Sequence, residues 1–265
     1  MHEMLMELQG NFFGHAAPAA MLAFSGLWWF WFVVNDLRGG RRPPGSTGPV
    51  TRGWPVRTTY SRSETWFKLT FPVAGGLGEL WWASWLLTDS SLVNYQHATM
   101  YFGFFLAGVT DLLVRSGRVP AYVAHLALAG AFANAGFQLL SHAHGLPVSD
   151  AVHAVVAWLL VMEAAVIVAE LYRPHRALSL ARAYGVVLLA AWFFHLGWIL
   201  YGSGWDLSDP YNVMRVHLFF TWDVVAVLLA MVLLYRLFAR LMPAVGGASE
   251  PGESERAALH AAALG

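Results

Sequence analysis

His2, His15, His97, His142, His144, His153, His195 and His217 are eight of the eleven histidines of this 265-residue chain. On the topology argued below, all eight lie toward the same side of a membrane. Ionisable groups near hydrocarbon are costly and usually face a bundle interior or a wet cavity, and neutral imidazole is the commonest metal ligand. Three or four imidazoles with a carboxylate suit zinc, copper or iron, whereas calcium and magnesium prefer oxygen. The expectation is therefore a transition-metal site, zinc foremost, drawn from His15, His97, His142, His144, His153, His195 and His217. Asp150 and Asp223 are the candidate catalytic residues, orienting a ligand or acting as general base. Such a centre could activate water to hydrolyse an ester or amide of a membrane lipid or other small molecule.

Two other readings compete. His97 and His217, on different helices, could ligate a haem axially in a redox protein. Alternatively the histidines are structural, in a non-enzymatic transporter or scaffold, with Glu79, Glu163, Asp111 and Glu170 continuing a polar path inward. The chain has no HExxH, no Gly-x-Ser-x-Gly elbow and no paired broken helices that would favour one class outright. Lone histidines such as His125 and His175 read as hydrogen-bond bridges between helices.

The elements that must position these residues are helices. Apolar residues make up 57% of the chain and charged residues 12%, with a mean hydropathy of +0.50; a soluble domain carries roughly twice that charge. Seven apolar stretches, near 17–34, 69–87, 97–114, 120–140, 152–171, 183–202 and 214–235, approach the roughly 20 residues that cross a bilayer. Backbone satisfaction in lipid leaves helices or closed barrels, and these runs are too long for barrel strands. The fold class expected is all-α integral membrane, a bundle of seven transmembrane helices. Residues 1–240 form that domain, with a cytoplasmic loop over 37–68, and 241–265 form a flexible tail. Met1–His15 lacks the basic start and cleavage site of a signal peptide.

Arginine sets the orientation. Fifteen of the sixteen basic residues fall in 37–68, 115–118, 172–182 and the tail, on alternate sides of successive helices; only Arg215 falls on the other side. The positive-inside rule then places the N-terminus outside and the C-terminus in the cytoplasm of a plasma (inner) membrane. Topology accounts for the basic residues, so no nucleic-acid partner is expected. The absence of cysteine excludes disulfides and thiolate chemistry.

Helical spacing gathers the interior polar groups. His97, Tyr101, Phe104, Gly108 and Asp111 step by three or four along the third helix. Asn134, Gln138 and His142 step by four along the fourth. Ser149 and Asp150 read as the N-cap of the fifth helix, with His153 one turn on and Glu163 deeper. Glu79 sits in the second helix. Asp111, Glu170 and Arg173 lie near cytoplasmic ends, where an ion-pair network is expected.

Gly14-His15-Ala16-Ala17-Pro18, Gln96-His97-Ala98-Thr99-Met100-Tyr101, Gly108 with Asp111, and His142-Ala143-His144 with Asp150 resemble the transmembrane protein 45 family. So do Glu79, Trp192-Phe193, Gly197, and Trp205-Asp206 followed by Asn212, Met214 and Trp222. The resemblance spans about residues 11–240, and Gln-His-x-Thr-Met-Tyr with His-x-His is its most specific part. It implies a polytopic multi-helix membrane protein and assigns no activity. The family pattern has Gln where His195 stands and His where Asp223 stands, and His153 is slightly out of register. The residues that the resemblance retains are His15, His97, His142 and His144.

Overall fold

The computed structural model describes residues 12–37, 61–142 and 145–241. They form seven helices: α1 (Phe12–Leu37), α2 (Arg62–Trp82), α3 (Leu92–Arg115), α4 (Ala121–Leu140), α5 (Pro147–Tyr172), α6 (Arg176–Tyr201) and α7 (Pro210–Leu241). No strand occurs among the described residues. His2, most of the 37–68 connection, His144 and the tail lie outside them.

Six of the seven helices are long and apolar enough to cross a membrane; α2 alone falls short. It is the least apolar of the seven, with Arg62, Glu64, Lys68 and Glu79 beside three glycines and several threonine and tryptophan residues. The chain is an all-α membrane bundle, and its surface is inverted relative to a soluble protein. Trp81, Phe102, Phe137, Trp158, Phe194 and Leu229 face outward, while Glu64, Lys68, Asp111, Glu163, Glu170 and Arg182 are buried. In water this arrangement would waste apolar burial and desolvate charge; in lipid it is what the solvent demands.

Packing runs α2 on α3, α3 on α4, α4 on α5 and α5 on α6, and α1 lies closely along α6. Gly26 permits that last approach, because a Cβ there would sit 2.9 Å from the Val187 backbone nitrogen. The inner parts of α1 and α2 close the ring: the Phe24 and Phe67 rings meet tilted at 37° with centroids 4.6 Å apart, and Trp29 Nε1 donates to Glu64 Oε1 at 3.0 Å. α7 packs on α5, α6 and, lightly, α1, and leaves most of its length exposed.

The helix ends differ from the sequence expectation in instructive ways. α2 starts at Arg62 rather than near 69, because Ser61 caps it by accepting from the Glu64 N–H at 3.2 Å. Lys68, read from the sequence as part of the connection, therefore lies inside the bundle. α6 likewise begins at Arg176, which takes Arg182 into the interior. His175 caps that helix by accepting from Ala177 N–H, so it bridges no helices. Ser149 and Asp150 are first-turn residues of α5, not its cap, since Pro147 takes the first helical position.

The buried charges form one layer in the half of the bundle assigned to the cytoplasm. Lys68 Nζ lies 2.8 Å from Glu64 and 3.1 Å from Asp111. Arg182 Nε lies 3.0 Å from Glu170, and its guanidinium covers the Trp29 ring at 4.3 Å. Thus Asp111 and Glu170 are in the expected network, whereas Arg173 is exposed at the end of α5 and takes no part in these pairs. Removing one partner of a buried pair leaves an uncompensated charge. Lys68→Met should therefore destabilise the bundle by about 3–5 kcal/mol, read as a lower thermal midpoint in detergent. Adding Asp111→Asn should recover part of the loss.

Candidate functional site

At the opposite end of the bundle, α1, α2 and α3 enclose a two-part cavity. Its outer vestibule, about 530 Å³, is lined by Gly14, His15, Ala74, Gly78, Asn94 and His142 among others. A narrower inner part, about 70 Å³, continues between Met21, Leu22, Met100, Phe104, Leu139 and Leu160. His15, Glu79, His97 and Tyr101 line both parts, so a polar neck separates a wide mouth from an apolar floor.

The neck is built by helical spacing. Asn94 and His97, one turn apart on α3, both reach Glu79 of α2. Asn94 Nδ2 donates to Oε2 at 2.8 Å, and His97 Nδ1 lies 3.3 Å from Oε1. Gln96 Oε1 meets His142 Nδ1 at 3.0 Å, joining α3 to the end of α4. His153 Nδ1 faces the Ser149 carbonyl at 2.8 Å and so carries the proton, which leaves Nε2 as its basic nitrogen. The rings succeed one another: His97 to His142 at 5.1 Å, His142 to His153 at 5.1 Å and His153 to His15 at 6.0 Å, with Tyr201 5.6 Å from His15. Four imidazoles from α1, α3, α5 and the end of α4 thus form a row beside one carboxylate.

This arrangement corrects the metal expectation. Among the described residues, no group of three or more histidine or acidic side chains converges as an ion's ligands would. Zinc, copper and iron are therefore not supported as cofactors. The histidine pair named for an axial haem is not brought together either. His217 is exposed on α7, and the cavity that His97 lines contains no α7 residue.

The remaining candidates are dispersed. His195 Nδ1 pairs with Asp223 Oδ2 at 2.8 Å in an apolar groove between α1, α6 and α7, apart from the cavity. Asp150 is half-buried in the first turn of α5. Asn134 and Gln138, half-buried on α4, line neither part of the cavity. Glu163 lies one turn inward of the floor residue Leu160. His144 falls outside the described residues.

Sequence reasoning missed Asn94 and the vestibule glycines. The signals were present: Asn94 is three residues before His97, and Gly75, Gly76 and Gly78 crowd one stretch of α2. Other residues of the family-like pattern build the outer connection. Asn212 Nδ2 donates to the Asp206 carbonyl at 2.8 Å, and Val148 N–H donates to the Leu207 carbonyl at 3.2 Å, which ties this loop to the start of α5. The Asp206 carboxyl, held below its usual range by the Ser208 hydroxyl and backbone N–H, fixes the turn.

No protein-family model matches the chain. Fold and site define a polytopic helical membrane protein with a histidine-lined cavity at one end. Because Asn94 supplies a charge-assisted bond to Glu79, Asn94→Ala should lower stability by about 1.5–3 kcal/mol. The check is thermal unfolding of the detergent-solubilised variant beside the parent.

Proposed function

We propose that the protein resides in the plasma membrane, belongs with the transmembrane protein 45 family, and binds an amphipathic molecule, a membrane lipid, in the outer cavity. The observation that carries this reading is the cavity's gradient from a polar neck of Glu79, Asn94, His97, His142 and His153 to a floor of Met21, Leu22, Phe104 and Leu160. Ligand pockets are mostly apolar with a few placed polar groups. Here the apolar end would take a chain and the neck a polar head.

Access supports the same reading. The inner halves of α1 and α2 are joined by Phe24–Phe67 and Trp29–Glu64, while the vestibule lies between their outer halves. Phe13, Ala17, Ala74 and Gly78 on its facing walls are exposed, so a lipid of the outer leaflet can enter sideways. The neck offers both acceptors and donors: the Glu79 carboxylate accepts, and imidazole does either according to its protonation.

Gly78 supplies the test. A Cβ there meets nothing within 4 Å, so a large side chain fits the fold while it fills the vestibule. The full chain, purified from membranes in mild detergent, should carry a lipid detectable by native mass spectrometry. Gly78→Phe should lose that lipid while it keeps the parent's helical circular-dichroism spectrum and elutes as the same monodisperse species. Equal lipid occupancy in both proteins would refute the assignment.

A further inference from the structure

We infer that Glu163, in the middle of the bundle, is a proton-binding site that exchanges its proton with the outer cavity across the single layer formed by Leu160. The inference goes beyond lipid binding and holds whichever molecule occupies the cavity.

Glu163 is 2% exposed, and its Oε1 has no hydrogen-bond partner. Its other oxygen, Oε2, lies against Gly185 of α6, where an added Cβ would collide with it. Glycine at that position makes room for the carboxyl. An ionised carboxylate needs several donors when dry, and here the acids outnumber the bases. Glu64 and Asp111 share Lys68, while Glu170 occupies Arg182. Among the described residues four buried carboxyls thus face two cations: Glu64 and Asp111 divide one charge between them, and Glu163 is the carboxyl with no ion pair of its own.

The groups acting on it are few. Arg182 of α6 and Glu170 of its own helix are the charged residues within electrostatic reach. α4 contributes His125, buried beside Arg182 and bonded to the Ala121 backbone. α7 has no charged residue between Asp223 and Arg236. Arginine does not give up its proton in proteins, and Arg182 is already engaged with Glu170. In so dry a site a carboxyl without its own counter-charge is stable as the neutral acid.

The exchange route follows from helix geometry. Leu160 closes the floor of the cavity, and Glu163 is three residues further along α5, on the same face about 4.5 Å deeper. Toward the other end of the bundle lie the paired charges of Arg182 and Glu170, whereas toward the cavity Leu160 is the lining residue next to Glu163 on its helix face. Water reaching the floor accepts the proton when Leu160 moves aside, and the carboxyl is reloaded by the same route.

The experiment is infrared spectroscopy of the full chain in lipid nanodiscs at neutral pH, before and after transfer to deuterium oxide. A carbonyl stretch of a protonated carboxylic acid should be present in the parent, shift on deuteration, and be lost in Glu163→Gln while it persists in Asp111→Asn, which separates it from any proton held by the Glu64–Asp111–Lys68 group. Leu160→Ala should accelerate the shift several-fold and Leu160→Phe should slow it. A band unchanged in Glu163→Gln, or an exchange rate indifferent to both Leu160 variants, would overturn the proposal. Should Glu163→Gln fail to fold, Gly185→Ala places a methyl group against the carboxyl and must displace the same band; an unmoved band also overturns it.

Discussion

Charge held in a dry helix bundle has to be matched there, and the rest of the molecule follows from how that is done. Lys68 between Glu64 and Asp111, and Arg182 between Glu170 and the Trp29 ring, link five of the seven helices in one layer. Each pair is worth little as net stability, because desolvation offsets the Coulomb gain. Its value is specificity, since any other register of α2 against α3, or of α5 against α6, leaves an unpaired ion in an apolar medium. The layer also joins the inner halves of α1 and α2 through Trp29 and Glu64.

That closure leaves the outer halves free to diverge. Small residues on both walls, Gly14 and Ala17 facing Ala74 and Gly78, keep the space open where bulkier ones would fill it. The cavity is thus a consequence of asymmetric packing: ionic and aromatic contacts at one end, glycine and alanine at the other. Its polar neck is assembled from four helices and the end of α4, so no single helix could have formed it. The histidine row and the charge layer are separated by the apolar floor at Leu160, and this insulation lets two polar systems of different character share one bundle.

The metal expectation failed for a physical reason worth stating. Imidazoles clustered toward one membrane face satisfy the compositional requirement for a metal site, but coordination needs convergence of lone pairs. Among the described residues the rings follow one another in a row without three side chains converging on one point, His195 is paired with Asp223, and His217 is exposed on α7. Residue type and position along each helix could be read from the chain; the direction of each ring could not.

Helix number and helix order follow from the run of apolar stretches alone, because lipid permits so few backbone solutions. The polar stripe of His97, Tyr101, Phe104 and Asp111 was equally legible, since 3.6-residue periodicity is a local property. Helix ends were read short wherever charge entered the bundle: Lys68 and Arg182 look like loop residues until their partners on other helices are known. The capping pattern Ser61-x-x-Glu64 was the one local sign that α2 begins so early. What tertiary structure alone decided was which polar groups meet. Asn94 and His97 on Glu79, His142 on Gln96, and Glu163 without a cation are relations between helices, and helical spacing contains no information about neighbours across a gap.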